Sequence, residues 1–150
     1  MRIIILVIFL LIPFSLFGNY DPNRIKNELS KQDTLFTIQG WQATQSPNSW
    51  KAITSHKLIF VTVDEKTTKV KSPHINPIHK REASIRCEQL GFIGIQPSTK
   101  EEEKKIKYVV RMATQKHVPQ YTDINNVRFE VLPEMKTTHV SLICRLRPSK

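Results

Sequence analysis

The chain is poor in the residues that most enzyme signatures need. It has four glycines, one of them Gly18 near the start, too few for a phosphate cradle of backbone amides. Neither Gly-x-Ser-x-Gly nor His-Glu-x-x-His occurs. Cysteine is confined to Cys87 and Cys144. No Cys-x-x-Cys is present, which removes the common dithiol redox motif, and two distant thiols with no histidine at ligand spacing do not suggest zinc. His74 and His79 flank Pro77 without a third ligand, and His56, His117 and His139 are isolated. Acidic residues are the minority, 13 against 23 basic, and most stand beside lysines, so no carboxylate pair is nominated for acid–base work. The sequence therefore nominates no catalytic residue, metal ligand or cofactor. No internal repeat of 20–50 residues is present either.

What is present begins with Met1-Arg2 and the apolar run Ile3 to Ile12, broken by Pro13 and followed by Phe14 to Gly18. A basic residue, an apolar stretch and a small residue before a polar turn are the layout of a secretory signal peptide over residues 1–18. The run is short for a membrane span of about 20 residues. The sequence thus predicts export, to the periplasm or cell envelope or into the medium, with residues 19–150 as a single domain. Retention of the leader as a membrane anchor is the alternative. Loss of Arg2 with the leader takes the formal charge from +10 to +9, an excess that attracts anionic polymers or lipid surfaces and says nothing about fold.

In an oxidising compartment an even cysteine pair reads first as a disulfide. Joining Cys87 to Cys144 closes a loop of about sixty residues, for which the chain-entropy treatment gives about 4 kcal/mol. Basic residues cluster most densely in Lys100, Lys104, Lys105, Lys107 and Arg111, the candidate polyanion-binding set. Tyr108 alone among the aromatics is interleaved with them. A nucleic-acid binder places more aromatics or a known reading module there, and with export this argues against nucleic acid.

The element pattern is α+β. Asp21-Pro22 starts a short helix with Ile25 and Leu29 four apart. Phe36 and Ile38 alternate with polar neighbours in a strand over 34–41, and Gln42 to Ser49 read as a loop pinned to the core by Trp41 and Trp50. Lys57 to Val63 is the strongest strand, with Lys69–Lys71 as a short partner. Residues 72–80, interrupted by Pro73 and Pro77, read as an exposed loop or linker. The core unit spans 84–146 as β-α-β-β. Ser84 to Leu90 alternates as a strand, with Ile85 and Cys87 inward and Arg86 and Glu88 outward. Gly91 and Gly94 then permit a bend. Thr99 or Ser98 caps a helix whose Ile106, Val109, Val110 and Ala113 form one apolar stripe, ended by Pro119. Gln120 to Asn126 reads as a polar loop, Val127–Val131 as a strand, Pro133–Thr137 as a turn, and His139–Leu146 as the closing strand. The expectation is a small mixed or antiparallel sheet with one main amphipathic helix on one face.

Cys87-Glu88-Gln89-Leu90-Gly91, Ala113 in the helix and Ile143-Cys144 resemble small disulfide-linked envelope domains like that of the Rcs-pathway outer-membrane stress-sensor lipoprotein. The resemblance covers about residues 84–146 and implies a disulfide-linked α+β sheet domain. It does not carry a signalling role. Together these readings predict an exported binding or interaction protein with a basic surface and no catalysis, its partner an envelope protein. A membrane-anchored subunit of an envelope or secretion assembly and a small exported enzyme are the alternatives.

Overall fold

In the computed structural model the described residues are 20–31, 40–53, 59–74 and 77–150. The leader at 1–18, residues 34–39 of the strand expected over 34–41, and residues 54–58 lie outside them. The described chain forms seven strands and three helices, in the order α1 (Pro22–Ser30), β1 (Gln42–Ala43), β2 (Trp50–Ile53), β3 (Phe60–Val63), β4 (Thr68–His74), α2 (Pro77–Ile95), α3 (Lys100–Lys116), β5 (Gln120–Ile124), β6 (Val127–Met135) and β7 (Val140–Pro148). One antiparallel sheet holds them all, ordered β1-β2-β3-β4-β7-β6-β5. Two meanders are thus joined by a helical hairpin, and β7 closes the sheet by pairing with β4, Val70 opposite Cys144.

Alternation sorts the strand residues into two faces. Val61 and Val63, Val70, Leu142, Cys144 and Leu146, and Val127, Phe129 and Val131 all point to one side and are buried. Onto that side pack Ile25 and Leu29 of α1, Cys87 and Leu90 of α2, and Ile106, Val110 and Ala113 of α3. Half-buried Trp41 and Trp50 pack against the same core, as expected of them. Trp41 Nε1 donates to Ser30 Oγ at 2.7 Å and Lys26 sits 4.1 Å over the Trp50 ring, so both also hold α1 to the β1–β2 corner. No described helix covers the other face of the sheet.

The α+β class is as expected, and the sheet is antiparallel throughout, but three helices replace the single main helix. Residues 84–90 are the clearest correction, because they lie inside α2 and Cys87 is on a helix. The buried set Ala83, Cys87, Leu90, Gly91 and Gly94 repeats at i, i+4, i+7, i+8 and i+11, a helical period that the local alternation of Ile85 and Cys87 hid. Arg86, expected outward, is buried and ion-paired with Glu82 at 3.6 Å. The unit over 84–146 is therefore α-α-β-β-β. The glycines do not make a bend. A side chain at Gly91 would meet Ile106 at 2.7 Å, and one at Gly94 would collide with Leu146, so their bareness lets α2 settle onto α3 and β7. Arg24 of α1 then caps the free carbonyls at the end of α2, donating to Ile93 at 2.6 Å and Gly94 at 2.9 Å.

Of residues 72–80, those described lie in a strand and a helix rather than a linker. Thr68–His74 is strand to its end, and Pro77 opens α2 at the first-turn position that suits proline. The described β3–β4 pairing ends at Phe60↔Lys71, so among the described residues no β3 ladder bond is lost at the missing amide of Pro73. Pro133 behaves alike. The β5–β6 pairing stops at Gln120↔Val131, so β6 runs on through Pro133 to Met135 where a turn was expected.

Cys87 and Cys144 form a disulfide across a sequence separation of 57, with Cα atoms 5.5 Å apart and both side chains fully buried. It ties the middle of α2 to the centre of the sheet.

Candidate functional site

The candidate cations lie on α3, and the sequence explains why this helix is well formed. Thr99 accepts from the Glu102 amide, while the Glu102 carboxylate accepts from the amides of Ser98 and Thr99, the reciprocal box expected from Thr-x-x-Glu. These bonds hold the Glu102 carboxyl below the usual carboxylate range, the Ser98 amide contributing most. Glu101, Glu102 and Glu103 face the positive end of the helix. At the other end His117 takes a left-handed conformation and its amide donates to Ala113.

With the buried stripe of Ile106, Val110 and Ala113 facing the sheet, a rotation of about 100° per residue fixes where each cation goes. Lys100, Lys104, Lys107 and Arg111 follow i, i+4, i+7 and i+11, one stripe about 16 Å long at 1.5 Å per residue, on the flank turned toward α2. Lys105 falls on the opposite flank, toward β5. All five are exposed. The structure thus gathers four of the five predicted cations and sets the fifth apart.

A groove of about 1090 Å³ borders α3 and takes in Lys104, Lys105, Lys107 and Arg111 of the predicted set. It adds Lys80 and Arg81 from the first turns of α2, which linear clustering could not connect to α3. The signal was available only once α2 was read as a helix running back along α3. The seam between the helices carries Ser84 and Thr114, their hydroxyls 3.3 Å apart, each donating back to a carbonyl of its own helix. Glu88 and Glu101 are the carboxylates on the lining. Burial pushes the Glu88 carboxyl above its ordinary value, against the pull of Lys107. None of Lys80, Arg81, Lys104, Lys107 or Arg111 is ion-paired with a described residue.

The opposite face of the sheet handles charge differently. Glu130 accepts from Arg145 at 2.6 Å and from Arg147 at 2.9 Å, Asp123 takes Arg128 through both oxygens at 2.8 and 2.7 Å, and Glu134 holds Lys71 and Lys136. Burial raises the Glu130 carboxyl, the bonds from Arg147 and Arg145 outweigh it, and the group ends below the usual range.

The groove can therefore hold an anion by charge and hydrogen bonding. Among the described residues no three His, Cys, Asp or Glu side chains converge as a metal ion would need. No described helix is long and apolar enough to cross a membrane. No protein-family model, curated protein or solved structure matches the chain, so the groove itself carries the functional reading.

Proposed function

We propose that this is an exported binding protein, without catalysis, that uses the basic stripe of α3 and the facing turns of α2 to hold an anionic polymer of the cell envelope. One observation carries the reading. Among the described residues the cations bordering the groove make no ion pair, while those on the opposite face are neutralised in bonded clusters. Unpaired like charges a turn apart on one helix repel each other and cost stability. A ligand that brings the missing negative charge offsets that cost. A concave groove also suits a chain better than the flat array of head groups on a bilayer. Export is supported by the Cys87–Cys144 disulfide, which is compatible with an oxidising compartment.

The test measures retention of the oxidised chain on immobilised polyphosphate against its binding to vesicles of phosphatidylglycerol in phosphatidylcholine, each over a salt gradient. The expected result is salt-sensitive retention on the polymer that falls by about tenfold or more in the Lys104→Glu/Lys107→Glu/Arg111→Glu variant. Retention unchanged by the triple reversal, or binding to vesicles alone, would remove the groove from the function.

A further inference from the structure

The groove has a second wall that charge alone does not explain. Three consecutive residues of β5 line it, Gln120, Tyr121 and Thr122. Side chains on a strand alternate between faces, so a groove confined to one face would meet every second residue. Three in a row means that it follows the outer edge of the strand. β5 ends the sheet, and Ile124 pairs with Val127 across the two-residue turn Asn125-Asn126, both at positive φ of 52° and 60°. That turn makes Ile124–Val127 a hydrogen-bonded pair. By the antiparallel alternation Gln120 and Thr122 also bond inward to β6, and the amides and carbonyls of Tyr121 and Asp123 point outward. Among the described residues no backbone hydrogen bond reaches them from outside the strand.

The two ends of this sheet are not protected alike. β1, at one end, is two residues long, and a short edge is a common defence against unwanted pairing. β5 has five residues with no proline, lysine or bulge, and its one charge, Asp123, is held by Arg128. Facing it, the near flank of α3 supplies Lys105, half-exposed Tyr108 and Val109.

We propose that an extended acidic peptide segment of a partner protein adds to β5 as an eighth strand in this α3–β5 groove. Its backbone pairs with Tyr121 and Asp123, the mode of strand addition in which main-chain bonds give affinity and pockets for alternate side chains give selectivity. Side chains turned toward α3 meet the Tyr108 ring, and carboxylates meet Lys105, which lines the groove without an ion pair among the described residues. A second copy of the chain is the competing occupant. Two molecules at +10 each repel one another, whereas an acidic segment is drawn in. The site is separate from the stripe that faces α2, so either reading can fail alone.

The experiment is amide hydrogen exchange by NMR on the oxidised full-length chain with a synthetic peptide alternating threonine and glutamate. An alternately N-methylated version and a threonine–lysine version serve as controls. With peptide at ten times its Kd, exchange of the Tyr121 and Asp123 amides should slow by about tenfold, and neither control should protect them. Tyr121→Pro removes an outward amide and no ladder bond, so it should abolish protection at Asp123. Lys105→Glu should weaken binding by about fivefold with the fold intact. Protection of these amides in the free chain that grows with concentration would assign the edge to a second copy and overturn the proposal. So would peptide-induced shifts confined to Lys100, Lys104, Lys107 and Arg111 with Tyr121 and Asp123 exchange unchanged.

Discussion

The two surfaces of this sheet use the same residue types to opposite ends. On the open face Arg128, Arg145, Arg147, Lys71 and Lys136 are bonded to Asp123, Glu130 and Glu134. On the helical side Lys80, Arg81, Lys104, Lys107 and Arg111 surround a groove with two carboxylates and no ion pair among the described residues. Exposed pairs contribute little stability each, but Glu130, with 8% of its side chain exposed, is a buried anchor for two guanidiniums. One face spends its charges on holding strands β6 and β7 in register, and the other leaves them available. Net charge, the same for both, could not have separated them.

The comparison breaks first at the disulfide, because that bond joins the helical layer to the sheet. Replacing Cys87 and Cys144 together by serine is expected to cost about 4 kcal/mol in denaturant unfolding. Much of a small domain's stability of 5–15 kcal/mol would go with it. Amides of α2 should lose exchange protection before those of β6 and β7. Equal loss everywhere would mean that the two layers do not unfold separately.

Glu130→Gln is next, at about 2–3 kcal/mol, below the full value for a buried pair because both arginines are one-third exposed. The pH dependence has a definite sign. The folded carboxyl lies below its ordinary value, so its contribution is complete above the unfolded carboxylate pKa and is lost as pH falls through the folded one. Wild type and Glu130→Gln should therefore converge in stability in acid. Polyphosphate retention should not change, since the residue is on the other face.

Thr99→Ala should cost about 1 kcal/mol by removing one half of the capping box. It would weaken anion binding only as far as the first turn of α3, which carries Lys100, frays. A loss of retention equal to that of the triple reversal would mean that the stripe depends on helix order more than on charge.

These effects bear on how far the sequence could be read. Caps and period made α3 legible: Thr99, Glu102 and the spacing of Ile106, Val109, Val110 and Ala113 are local signals. The disulfide was legible from the even cysteine count and an expected oxidising compartment, without the elements that it joins. α2 was not, because Ile85-Arg86-Cys87 alternates like a strand while its helical contacts, Gly91 on Ile106 and Gly94 on Leu146, are tertiary. β5 was missed since Gln120 to Asn126 is polar. Its one hairpin signal, Asn125-Asn126 followed by Val127, is a turn pattern suited to positive φ. Half of the groove went unseen with these two elements. Lys80 and Arg81 join Lys107 and Arg111 only after α2 folds back along α3, and an edge strand is defined by what the rest of the sheet leaves unpaired.

The smallest expected effect sharpens the comparison most, because it concerns a carboxylate on the helical side. Glu88 lines the groove, and burial holds its carboxyl above the ordinary value while Lys107 draws it down. In its charged form it opposes any anion in the groove. As pH falls through its raised pKa it becomes neutral, so polyphosphate should bind more tightly in mild acid. Stability has the same direction, since the cost of burying the charged form disappears on protonation. A unit charge about 6 Å from an anion in water corresponds to about 0.7 kcal/mol, or about threefold in affinity. Glu88→Gln should gain that factor at neutral pH and flatten the acid-side rise, as read by titration of polyphosphate at several pH values. The other charged groups facing the seam are the cations Lys80, Arg81, Lys107 and Arg111. A rise that persists in the variant would therefore trace to a carboxylate elsewhere, with Glu101 the one other on the lining.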